Sequence, residues 1–134
     1  KTIFVVHSYD FEKIHYMLCM ANTAAALDND VIIFFASDSV RCVFKEKNKN
    51  WYSLDTSSGL SAFDTNKSYV SQGIVGFEEL LQSAISLKIN FYFCSMLDNF
   101  VTKNSKFIDG INISGKALSF IYGEKNIRSK IIFI

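Results

Sequence analysis

Three cysteines and two histidines are the residues of this chain best suited to forming and breaking bonds. Cys94 stands out by its position. It closes the β-branched and aromatic run Ile89-Asn90-Phe91-Tyr92-Phe93-Cys94, and Ser95-Met96-Leu97-Asp98 then opens a new element. In an open parallel α/β sheet the carboxyl ends of the strands form the crevice where ligands bind, so a thiol held there is a candidate reactive group. A helix starting after Ser95 would present free backbone N–H groups and a partial positive charge, which lower a thiol's pKa below the ~8.5 of free cysteine. The resulting thiolate is a nucleophile, and it can also carry a terminal sulfur as a persulfide. This chemistry requires Cys94 to be partly open to solvent. The competing role for Cys94 is packing, because cysteine is a common small buried residue.

Other groups can be placed around that thiol. His7-Ser8-Tyr9 follows the first apolar run. If the strands take the common flavodoxin-like order, with the first strand beside the Cys94 strand, these residues face Cys94-Ser95-Met96 across the point where the chain reverses direction. His7 is then a base or an anion contact, and Ser8, Ser95 and Met96 line the crevice. His15, four residues before Cys19 on one helical side, is a second imidazole within possible reach. Cys42 follows Arg41 in a weakly defined segment and is a candidate second, resolving thiol. Cys19 lies one position beyond Leu18 in a core stripe and is expected to be buried and unreactive. Ser8 lacks a Gly-x-Ser-x-Gly elbow, which argues against serine hydrolysis. No Gly-rich phosphate loop follows the first strand, which argues against dinucleotide or P-loop chemistry. No CxxC or HxxxH pair suggests a metal site.

The elements that must position these groups alternate. Thr2 to Val6 reads as a buried strand, Asp10 as an N-cap, and Phe11 to Leu27 as a helix with Phe11, Ile14, Leu18, Ala21 and Ala25 inward. Val31 to Phe35 is the second strand, so the first βαβ unit is parallel. Ser37-Asp38-Ser39 caps a short helix through Val40 to Lys45. Asn48 to Gln72 is rich in Ser, Asn, Asp and Thr and reads as one long loop. A helix over Gly76 to Ile85, the strand Ile89 to Phe93 and a helix from Met96 to Val101 follow. Asp109 to Ile113 is a turn with a short strand, Gly115 to Tyr122 a helix, and Lys130 to Ile134 the last strand. The expected architecture is a three-layer α/β/α flavodoxin-like domain spanning residues 1–134, with a mainly parallel sheet of about five strands. The Cys94 strand is expected at its centre, beside the first strand.

Composition narrows the partners. Fourteen basic and thirteen acidic residues leave a net charge of +1, which gives no footprint for nucleic acid. The apolar runs fall far short of the ~20 residues of a membrane helix. Lys1 leads straight into a strand, so no secretory leader is expected. Three widely spaced cysteines suit free thiols in a reducing compartment, hence the cytoplasm. Phe44, Trp51, Tyr52 and Phe63 sit in segments with little regular structure to bury them, which points to a homo-oligomer.

The segments His7-Ser8-Tyr9-Asp10 with Ala21-Asn22-Thr23-Ala24-Ala25-Ala26, Val31-Ile32-Ile33-Phe34-Phe35, Phe93-Cys94-Ser95-Met96, and Ile108-Asp109-Gly110-Ile111 with Gly115 resemble the DsrE/DsrF-like family, in its peroxiredoxin-like branch. The resemblance runs from near Thr2 to Ile134. It implies a flavodoxin-like fold, homo- or hetero-oligomers (often trimers or hexamers), and a place in sulfur relay. Sulfur then travels as a persulfide on one cysteine after a central strand, which Cys94 matches, between donor and acceptor proteins and with no organic or metal cofactor. Since some members lack the cysteine, the alternative is a non-enzymatic oligomeric module that binds a small ligand or a protein.

Overall fold

Short β-branched and aromatic runs become strands, and runs with apolar residues at three- and four-residue steps become helices. A computed structural model of the chain describes residues 1–104 and 106–134. It contains β1 (Thr2–Val6), α1 (Phe11–Ala26), β2 (Val31–Phe35), α2 (Ala62–Ser71), α3 (Phe77–Ser86), β3 (Asn90–Cys94), α4 (Asp98–Asn104), β4 (Ile113–Lys116) and β5 (Lys130–Phe133). Short 3₁₀ turns cover Asp38–Val43, Trp51–Ser53, Ser95–Leu97, Leu118–Tyr122 and Glu124–Asn126.

All five strands form one parallel sheet in the order β4-β3-β2-β1-β5. This is a three-layer α/β/α flavodoxin-like fold. The strand order differs from the expected one in a way that matters for the site. β3 is internal, but its neighbours are β2 and β4, and β1 lies between β2 and β5. The chain steps the same way along the sheet from β1 to β4 and then returns across it to β5. Right-handed crossovers therefore put α1, α3 and α4 on one face and only the Leu118–Asn126 turns on the other.

The two faces are packed unequally. Phe4, Val6, Ile33, Phe35, Phe91 and Phe93 point to the helical face, where they meet the buried stripe of α1 and α3. Phe11 anchors that side, with its ring centroid 5.4 Å from Phe77 and 5.7 Å from Trp51. Ile3, Val5, Ile32, Phe34 and Cys94 point the other way, onto Ile121 and the half-buried Phe120. Phe44 and Trp51, expected to be poorly covered, are buried in the helical-face core instead. Tyr52 is half-buried, and of the four aromatics only Phe63 is exposed. These side chains therefore do not form the exposed patch from which an oligomer was argued.

Two further segments depart from the sequence reading. The 48–72 stretch is not one loop, since it holds the Trp51–Ser53 turn and α2. The Ser61 side chain caps α2 by accepting from the Asp64 N–H at 3.0 Å, and Ala62, Thr65 and Tyr69 supply a narrow inner stripe. Gly115, read as the start of a helix, lies inside β4. A Cβ there would come within 3.1 Å of the Phe93 ring and of Asp98 Oδ1, so a larger residue would have to push one of these side chains aside.

Candidate functional site

Cys94 ends β3, as its sequence context requires, but its thiol is turned inward. Alternation along β3 sends Phe91 and Phe93 to the helical face and Tyr92 and Cys94 to the opposite face. There Cys94 is 2% exposed, packed in a cluster with Ile3, Val5, Ile32, Phe34 and Ile121. The expected partial accessibility is absent from this conformation. The helix amino end is not engaged either. Cys94 caps only the three-residue turn Ser95–Leu97, and its side chain makes no capping hydrogen bond.

The strand order separates the groups expected around Cys94. β2 stands between β1 and β3, so the two strand ends do not share a crevice. His7 faces the other way, its ring stacked on Phe133 of β5 at 6.0 Å. The reversal of chain direction falls between β1 and β5, where the backbone N–H groups of His7 and Ser8 both donate to the Ile134 carbonyl at 2.9 and 3.0 Å. The Ser8 hydroxyl accepts from the Asp10 N–H at 3.2 Å and belongs to the entry of α1. Ser95 is half-buried, and Met96 is 79% exposed and is not part of the cluster around the thiol.

His15 lies in the core on the helical face, across the sheet from Cys94. Its Nε2 is 2.8 Å from the Val75 carbonyl oxygen, so Nε2 carries the proton and Nδ1 is left as an acceptor. Cys19 Sγ lies 3.9 Å from that Nδ1. Cys19 is half-buried rather than sealed, and burial still pushes its thiol up from the ordinary value. Cys42 is buried in the helical-face core, and burial pushes its thiol up strongly. Cys42 and Cys94 thus occupy different clusters on opposite faces of the sheet and are not placed to act as an attacking and resolving pair.

Two features went unseen in the sequence. Lys116 of β4 is the register partner of Cys94, and its ammonium lies over the Tyr92 and Phe120 rings at 5.8 and 5.6 Å. The residue in register beside the thiol is therefore a lysine about twenty residues away in sequence, with its ammonium over an aromatic pair. The second feature is an open apolar groove of about 550 Å³ between α1 and the β5 side of the sheet, lined by Phe4, Tyr16, Met20, Ala24, Leu27 and Ile132. Tyr16 is 68% exposed and Phe133 70% exposed on this side of the molecule. The run Lys130 to Ile134, expected as the last strand, is continuously apolar after its lysine. It lies at the edge of the sheet, and a continuous apolar run cannot by itself reveal which strands lie there.

Among the described residues, no helix is long and apolar enough to cross a membrane. No protein-family model matches the sequence, and no curated protein matches it. Among solved structures, the crystal structure of the YchN protein from E. coli is similar over 100% of this chain and 99% of its own, with a TM-score of 0.56 and 12% identity. At that identity the likeness extends to the fold alone.

Proposed function

We propose that this chain is a non-enzymatic, self-associating or protein-binding module built on the DsrE/DsrF-like fold, with Cys94 as a packing residue. The observation that carries this reading is the burial of Cys94 at 2% exposure among aliphatic and aromatic side chains. A sulfur carrier must expose its sulfur to a donor and then to an acceptor. This thiol has neither an imidazole nor a helix amino end to hold its charge. The exposed apolar surface along α1 and β5 supplies what a binding module needs. The test is thiol labelling of the native protein at neutral pH, with residue assignment by mass spectrometry. Under this reading Cys94 labels only as fast as the cover formed by the Leu118–Asn126 turns opens, far below the rate of a free thiol, while Cys19 labels faster. Rapid native labelling of Cys94, comparable with a free thiol, overturns it.

The second reading is sulfur carriage on Cys94 between a donor and an acceptor protein, and the placement of Lys116 favours it. The exposed lysine sits in register with the thiol on the same face of the sheet, and the short Leu118–Tyr122 turn contributes to covering the thiol through Ile121 and Phe120. Outward movement of that turn would leave a thiolate beside an ammonium, the arrangement that lowers a cysteine's pKa. Incubation with a persulfide donor distinguishes the two readings. Gain of one sulfur atom at Cys94, lost in Cys94→Ser, supports the carrier, and an unmodified Cys94 supports the module.

A further inference from the structure

We propose that the cavity between α3 and the segments 44–51 and 108–109 is a binding site for a small zwitterion of the α-amino-acid class. The inference goes beyond the module reading and does not depend on the state of Cys94.

The chain builds this site from two walls. Glu78, Leu81 and Gln82 stand at three- and four-residue steps, so α3 presents them on one face. Asn50 opens the Trp51–Ser53 turn, and Lys47 precedes it on the same loop. Together these residues line an open cavity of about 360 Å³ in the helical layer. Small-molecule sites begin at about 300 Å³, so this one suits a ligand of amino-acid size. Asn50 is the group that calls for a ligand. It is 6% exposed. Its Oδ1 accepts from the Tyr52 N–H at 2.9 Å, which holds the side chain in place and settles which end is the nitrogen. Its Nδ2 donates to no group among the described residues. Buried donors are satisfied in the great majority of cases, so a free amide on a cavity wall calls for an acceptor inside the cavity.

The charges around the cavity select the ligand. Lys45 and Asp109, which also line it, neutralise each other at 3.1 Å. Lys47 and Glu78 have no ion-pair partner among the described residues. One cation is therefore left on the Asn50 loop and one carboxylate on α3, with Trp51 and Leu81 as apolar wall. A ligand carboxylate matches the Lys47 ammonium and the Asn50 amide. A ligand ammonium matches the Glu78 carboxylate and the Gln82 carbonyl oxygen. An apolar side chain matches Trp51 and Leu81. An α-amino acid carries all three groups on one carbon. A phosphate ester would set its charge against Glu78, and a wholly apolar ligand would seal the Asn50 donor away from any acceptor, so neither fits.

Trp51 is the only tryptophan of the chain, so its fluorescence reports the site. The experiment titrates the full chain with L-leucine and with L-phenylalanine, reading that fluorescence and the heat of binding. The variants are Glu78→Gln, Asn50→Asp and, as a control, Glu79→Gln. Asn50→Asp keeps an oxygen to cap the turn but replaces the free donor with negative charge. Glu79 is the next acid on α3 and does not line the cavity. Circular dichroism checks that each variant is folded. The expected result is saturable binding of at least one of the two amino acids, with a Kd below about one millimolar. Glu78→Gln and Asn50→Asp each weaken it at least about tenfold, and Glu79→Gln leaves it unchanged. The deaminated acid and the decarboxylated amine of the amino acid that binds are each at least about tenfold weaker. No saturable binding of either amino acid up to about ten millimolar overturns the proposal and leaves the cavity to water. Binding that both site variants leave intact overturns it too, as does a deaminated acid that binds as tightly as its parent. The labelling of Cys94 is independent of all these outcomes, so the two proposals can fail separately.

Discussion

Cys42 is fully buried, and burial pushes its thiol well above the ordinary cysteine value. Burial also raises Cys19, and it raises the phenols of Tyr52 and Tyr69, which are only partly covered. Each group ionises more readily in the unfolded chain than in the folded one. The unfolded state therefore binds fewer protons at alkaline pH, and stability falls there. The contribution is complete below the unfolded thiol value of about 8.5 and is lost progressively above it. Urea midpoints should be level from about pH 6 to 8 and decline above about pH 9, and Cys42→Ala should flatten the decline while lowering the plateau. Cys94 makes a different prediction. It has only aliphatic and aromatic neighbours in its cluster, so Cys94→Ser puts a hydroxyl where no partner is evident. The expected cost is about 1–3 kcal/mol in chemical denaturation, with the circular dichroism spectrum unchanged.

At the scale of elements, the caps and tight approaches carry the specificity. Asp10 Oδ1 accepts from the Lys13 N–H at 3.0 Å and starts α1, as expected from an acid preceding an apolar-periodic run. Ser61 does the same for α2, and Ser61→Ala should cost about 0.5–2 kcal/mol, read as a shift in the urea midpoint. Gly115→Ala should destabilise by about 1–3 kcal/mol, because the added methyl must displace the Phe93 ring or Asp98. These elements also mark what was legible in the sequence. β1, β2 and α3 are strongly patterned, and their residue types nearly determine them. α2 was missed because its inner stripe is Ala62, Thr65 and Tyr69, too polar to stand out, although Ser61 with Asp64 three residues on was a visible start signal. The surroundings of Cys94 were not legible. They depend on which strand lies beside β3, and alternation of strand and helix is the same for several strand orders.

For the molecule as a whole, the unequal faces set what opens first. α1, α3 and α4 cover one side, while the other is closed by 3₁₀ turns with Ile121 as their buried anchor. Regions with few buried contacts open at lower free energy than the global unfolding event. Backbone amides of the Leu118–Asn126 segment should therefore exchange with solvent well before those of α1. Ile121→Ala should raise the native labelling rate of Cys94 at least tenfold and leave that of Cys42 unchanged, since the two thiols lie on opposite faces. Equal acceleration at both would mean that the faces unfold together.

The contrast between the two edges of the sheet reaches beyond any one complex. A chain whose two edges both accept strands can add copies head to tail without limit, which is the route to fibres. Here the apolar β5 edge stands opposite a β4 edge carrying Ser114, Gly115 and Lys116. Any strand laid on β5 occupies the one place where growth can begin, and nothing on the far side continues it. A strand added to β5 would therefore leave only the β4 edge, with its exposed lysine, for further addition, and such an edge is a poor site from which to propagate.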